Sequence, residues 1–178
     1  MDIAQLILED HAEQRRLFAM IQEIGPGHPD SLVAVWGRLR DLLDAHAQAE
    51  EQYFYPELLR KGRGAADADS AEEETEDAIE DHNAIRDAGR MVDEQELASP
   101  SWFAAVEKLD QVNGDHMAEE ERQGLADVRT HFTLEERHEM AVRFAGFMNH
   151  HLEGVEVVDK DPDEYVESGG DVEASAEE

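Results

Sequence analysis

Nine histidines stand among forty-five aspartates and glutamates, with no cysteine beside them. Imidazole nitrogen and carboxylate oxygen suit iron, manganese or zinc, so any metal chemistry here runs through N and O donors. The missing thiols remove disulfides, thiolate zinc sites, iron–sulfur clusters and cysteine nucleophiles together. Four histidines fall on apolar helical stripes, an unusual place for a free polar ring. His11 follows Ile7 by four residues, and His82 sits midway between Ile79 and Ile85. His46 comes three after Leu43, and Glu50 follows it at plus four; His116 continues Val106, Leu109 and Val112, and Glu120 follows at plus four. Residues four apart share a helix face, so each His-x-x-x-Glu sends both donors the same way.

The spacing is also duplicated. Leu8-Glu9-Asp10-His11 matches Ile79-Glu80-Asp81-His82 at an offset of 71, with Arg15 matching Arg86. His46-x-x-x-Glu50 matches His116-x-x-x-Glu120 at an offset of 70. Two helical hairpins of this kind would meet as a pseudo-twofold pair and offer four imidazoles and two carboxylates, a set that suits two metal ions with glutamates between them. Taken singly, any of these histidines reads as a packed ring bonded to a backbone carbonyl before it reads as a ligand, and either His-x-x-x-Glu is equally a surface pair. All six together, left unpaired in a bundle core, would be costly, and that favours the metal reading. Tyr53, three after Glu50 and seven after His46, is aimed at the same place by a continuous helix, or is a packed aromatic. Asp10 and Asp81 precede their histidines symmetrically as candidate outer partners or exposed neighbours, and Glu51 and Glu119 read as solvated face.

The elements that must position these residues are helices. Apolar residues from Ile3 to Ile24 recur at helical spacing until Gly25-Pro26-Gly27. Asp30 or Ser31 can cap a long second helix running past Pro56 to about Gly62. Residues 62–69 read as a loop, and Ser70 with Glu73 is a capping signature for a third helix through Val92. Ser99-Pro100 opens a fourth, carrying Trp102 to Leu125. Thr133 with Glu136 starts a shorter fifth, to about Leu152. The expected fold is all-α: an up-down-up-down four-helix bundle over residues 1–152 with the extra helix, followed by residues 153–178 as an acidic, solvated tail. That tail carries eleven acids and one lysine.

The order His, His-x-x-x-Glu, His, His-x-x-x-Glu resembles the hemerythrin-like family, the HHE cation-binding domains, over about Ile3 to Val128. The match includes Glu50-Glu51 and the aromatic-Pro segment Tyr53-Phe54-Tyr55-Pro56. The resemblance implies a four-helix bundle holding a non-haem di-iron centre, two iron ions with an oxo or hydroxo bridge. Its metal ligands would be His11, His46, Glu50, His82, His116 and Glu120, with Glu50 and Glu120 bridging. Oxygen-carrying members supply two histidines four apart on the third helix, whereas the positions four from His82 are Ala78 and Arg86. The chain is also similar to the actinobacterial hemerythrin-like subgroup, for which peroxide decomposition is a described role. The resemblance therefore implies redox chemistry on small oxidants, hydrogen peroxide first, with Tyr53 and Tyr55 as candidate catalytic groups. Binding or sensing of O2, nitric oxide or iron without turnover is the rival reading, and a metal-free acidic adaptor for a basic partner is a third.

Composition narrows the partners. Fifteen Lys and Arg against forty-five acids give a formal charge of −30, which argues against DNA, RNA and anionic membranes. The opening residues lack a signal-peptide pattern and no apolar window reaches membrane-spanning length, so a cytoplasmic location is expected and the oligomeric state stays open. Glu135-x-x-His138 is half of a ferritin-like motif without a second copy, and His131, His138, His150 and His151 lie outside the repeat. No phosphate loop, serine elbow or His-Glu-x-x-His occurs.

Overall fold

The structure, a computed structural model, describes residues 1–66 and 68–170. Eight helices and no strand occur among the described residues. Helix α1 (Ile3–Ile24) is capped by the Asp2 carboxylate, which accepts from the Ala4 amide, and it ends at Gly25, whose φ of 63° a side chain would resist. Helix α2 (Pro29–Tyr53) starts ahead of both expected caps, Asp30 and Ser31, with His28 as cap and Pro29 in the first turn. Helix α4 (Ala71–Asp93) is capped by Ser70, and α5 (Pro100–Arg122) by Ser99. These four form the bundle, each packed on two neighbours in the cyclic order α1, α2, α4, α5.

The expected long second helix is two helices. It breaks at Phe54 (φ −108°, ψ −61°), and α3 (Tyr55–Lys61) follows. Pro56 explains the break, since its ring displaces the carbonyl four residues back and it has no amide to give. The fourth helix breaks at the equivalent place, Gln123 (φ −103°, ψ −85°), so Leu125 lies on α6 (Gly124–His131). The breaks meet: a Cβ on Gly124 would touch the Phe54 ring at 3.4 Å. Helix α7 (Leu134–His150) carries the expected Thr133–Glu136 capping box and packs on α1 and α2.

The expected solvated tail differs in its described part. Residues 153–170 return to the bundle, and α8 (Pro162–Glu167) packs on α4. Tyr165 is 2% exposed and donates its hydroxyl to the Glu51 carbonyl at 2.5 Å. The acidic average of this segment masks residues that attach it, Lys160 and Tyr165 among them. The end of that tail, 171–178, lies outside the described residues.

The bundle divides into three zones. One end joins an apolar cluster around Ile7, Phe54, Tyr55, Ile79, Leu125 and Phe144. The other joins a cluster around Phe18, Trp36, Val92 and Trp102, where the indoles meet edge to face at 6.2 Å. Between the two lies a buried polar layer holding His11, His46, Glu50, His82, His116 and Glu120, with Gln14, Glu51, Arg86 and Asn113 alongside. Asn113 donates to Gln14 at 2.9 Å within this layer.

Candidate metal centre

The polar layer converges on two overlapping groups of donors. His11, His46, Glu50 and Glu120 form one; Glu50, His82 and His116 form the other, and in each the donor atoms lie within 4.8 Å of one another. All six residues are at most 5% exposed. Glu50 faces both ways, with Oε1 2.9 Å from His46 Nε2 and Oε2 3.3 Å from His82 Nε2. Glu120 Oε2 lies 3.2 Å from His11 Nε2, and the Nε2 atoms of His82 and His116 are 3.2 Å apart.

A second ring of carboxylates sets the direction of every imidazole. His11 Nδ1 meets Glu121 at 3.0 Å, His46 Nδ1 meets Asp10 at 3.2 Å, His82 Nδ1 meets Glu51 at 2.8 Å, and His116 Nδ1 meets Asp81 at 3.3 Å. An ionised carboxylate only accepts, so each Nδ1 donates to its carboxylate and each Nε2 is turned toward the centre. Each partner lies next to a ligand in sequence but serves a histidine of another helix. The arrangement repeats the twofold of the sequence: Asp10 and Asp81 precede His11 and His82, while Glu51 and Glu121 follow Glu50 and Glu120.

The inward-facing atoms test whether the residues fit a cation. His11 Nε2, His46 Nε2, both oxygens of Glu50 and Glu120 Oε2 are buried without a hydrogen-bond partner. Five such atoms facing one another are costly in a neutral core but form a ligand set for a cation. Burial works against ionisation of Glu50, yet the neighbouring imidazoles of His46 and His82 outweigh it and hold its pKa well below the ordinary range. Burial also opposes charge on His46, but Glu50 and Asp10 hold its pKa well above the ordinary imidazole value. Protons and cations therefore compete for His46.

Of the tyrosines, the structure brings one to the cluster. Tyr55 is 1% exposed, donates its hydroxyl to Glu120 Oε1 at 2.7 Å, and stands 5.8 Å from the His82 ring. Burial and the carboxylates of Glu120 and Glu50 push its pKa well up, keeping it a phenol and hence a donor. Tyr53, the last residue of α2, is instead turned to Phe147 and Arg143 of α7. Glu51, read from sequence as solvated face, is 1% exposed, and Arg86 reaches it at 2.7 Å. Burial opposes its charge, but His82, Arg86 and Lys160 bring its pKa to about 2. Glu119 is 41% exposed, as expected of a face residue. Glu121 escaped the sequence reading, although the offset of 70 from Glu51 marks it. His131 pairs with Asp127, His138 with the chain start, and His151 stacks on Phe147, all apart from the centre.

A narrow cleft beside the second donor group is lined by Tyr55, Glu74, Asp81, His116 and Glu120. Glu74 is 5% exposed; one oxygen accepts from the Ala65 amide at 2.8 Å and the other has no partner. Burial raises its pKa to about 7. A carboxyl raised above its unfolded value of 4.5 stabilises the fold fully below pH 4.5, and that contribution is lost as pH rises through about 7. Glu74→Gln is therefore expected to gain stability over the parent chain by on the order of 1–3 kcal/mol between pH 4.5 and pH 8. Urea unfolding of both proteins across that range checks it, and a difference independent of pH would refute it.

The model of the family described as hemerythrin HHE cation binding domain matches residues 2–126, which include all six donors. The chain is also similar to a DNA nickase of Nostoc sp. (strain PCC 7120 / SAG 25.82 / UTEX 2576), 24% identical over 144 residues. That match covers 81% of this chain and 38% of the relative, so the chain spans well under half of that protein's length. No solved structure matches. Among the described residues no helix is long and apolar enough to cross a membrane.

Proposed function

The chain belongs to the hemerythrin HHE cation-binding family, and from that premise we propose that it is a non-haem di-iron protein that reacts with small oxidants and disproportionates hydrogen peroxide. His11, His46 and Glu120 would hold one iron ion and His82 and His116 the other, with Glu50 belonging to both donor groups. An iron pair held there would supply two-electron redox chemistry, by which two hydrogen peroxide molecules become two waters and one O2.

The observation that carries this reading is the open second donor group beside a buried phenol. That group comprises Glu50, His82 and His116, one imidazole fewer than an oxygen carrier would place there. The residue four after His82 is Arg86, which turns to Glu51. Tyr55 holds a proton on its hydroxyl at the edge of this group and orients Glu120 by donating to it. The same hydroxyl can hand a hydrogen bond or a proton to an oxygen of a small ligand beside His82. Phe54, Leu125 and Phe144 pack as an apolar cluster at this end of the centre. A charge of −30 opposes approach to a phosphate backbone, so the nicking named for the Nostoc relative does not enter this reading.

Iron-loaded protein is expected to release O2 from hydrogen peroxide, and Tyr55→Phe to lower that rate by about 100-fold with iron content retained. An oxygen electrode and iron analysis of the same samples decide the matter. Wild-type protein that releases no O2 above free-iron controls would overturn the enzymatic reading, and reversible O2 or nitric oxide binding without turnover would replace it with a binding module.

A further inference from the structure

Beyond residue 126, where the family match ends, the chain carries a segment whose only lysine reaches the metal centre. Lys160 Nζ donates to Glu51 Oε2, while Glu51 Oε1 accepts from His82 Nδ1 at 2.8 Å and from Arg86 at 2.7 Å. The Glu51 side chain is fully buried and that of Lys160 only 16% exposed. The backbone of Lys160 is clamped by the residue after His82: Asn83 Nδ2 donates to the Lys160 carbonyl at 2.6 Å, and Asn83 Oδ1 accepts from the Lys160 amide at 3.1 Å. Asp159 pairs with Arg90 at 2.7 Å, and Tyr165 donates to the Glu51 carbonyl, so the strap is tied at both ends.

Among the described residues the other half of the pseudo-twofold has no such device. Glu121, the counterpart of Glu51, accepts from His11 at 3.0 Å and Arg15 at 2.8 Å but is 29% exposed, so water can complete its shell. Glu51 has no access to water and needs a protein donor on its second oxygen. We propose that Lys160 is a positioning residue for the metal ligand His82, acting through Glu51, and that the strap it belongs to is part of the second metal position. The proposal rests on the metal-centre reading above. By pinning both oxygens of Glu51, Lys160 and Arg86 fix the plane of the carboxylate, which fixes the His82 ring and the aim of its Nε2. Without Lys160, one buried oxygen is unpaired and Glu51 rotates toward whatever donor is in reach.

The test uses the full chain loaded with Co(II), following release of each ion to a chelator and the paramagnetically shifted, exchangeable imidazole N–H signals. Lys160→Met is expected to speed release of one of the two ions by about 10–100-fold, leave the other unchanged, and move or broaden one N–H signal. Lys160→Arg is expected to restore both readouts. Arg90→Gln, which loosens the strap without touching Glu51, is expected to leave them as in the wild type. Equal rates for Lys160→Met and wild type, or equal acceleration of both ions, would overturn the proposal while leaving the metal centre standing. Wild-type protein that takes up no Co(II) would overturn both.

Discussion

Glu50→Ala is expected to cost both metal positions at once, with affinity down by more than about 100-fold at each, since loss of an outer partner alone costs 10–100-fold. The reason lies in its two oxygens. Oε1 faces His46 and Oε2 faces His82, and Glu50 belongs to both donor groups. Glu120→Ala makes the discriminating comparison, because Glu120 belongs to the His11 and His46 group alone. Its loss is expected to empty that position first. Metal content after gel filtration, with circular dichroism of the same samples to follow helix content, reads both variants. The helices are expected to persist in Glu50→Ala, since the two apolar clusters above and below the layer are untouched. Retention of metal at either position by Glu50→Ala would refute a shared carboxylate.

Much of this centre is legible in the sequence because a helix converts spacing into direction. Histidines placed on apolar stripes at three- and four-residue intervals have to face the bundle axis, and the offsets of 70 and 71 join two hairpins into one site. Less legible are features in which the backbone departs from a helix. Of the two candidate tyrosines, Tyr53 at the end of α2 meets Phe147, while Tyr55, which opens α3 after the break at Phe54, comes inward to Glu120. Helical periodicity carried past Pro56 predicts the opposite. Glu51 reads as surface because a lone acid beside a ligand has no sequence mark of burial; its partners Arg86 and Lys160 lie 35 and 109 residues away. The strap is hidden in the same way, since average charge describes a segment's preference for water and says nothing of two residues able to anchor it. Arg86 was visible as the mate of Arg15, but its meaning emerges only once both arginines are seen to hold the carboxylate behind a histidine.

Stripping metal from the loaded protein is expected to lower its melting temperature by roughly 15–30 °C. Each ion present at a thousand times its dissociation constant stabilises the native state by about 4 kcal/mol, so two contribute about 8. For a chain of this size each kcal/mol is worth about 2–4 °C. The structural basis is the set of five buried atoms on His11, His46, Glu50 and Glu120 that lack hydrogen-bond partners and that a cation would bind together. The gap should also depend on pH, with a sign set by His46. Its pKa is raised in the folded chain, so its proton stabilises the metal-free fold fully below the ordinary value of 6.5, and that contribution is lost as pH rises through the folded pKa. A cation must displace that proton, so the gap between loaded and stripped protein is expected to widen from pH 6 upward. Paired thermal melts with and without chelator across this range measure it. Coincident melts at every pH would mean that the polar layer is held by its own ion pairs, and the centre would lose its claim to be a metal site.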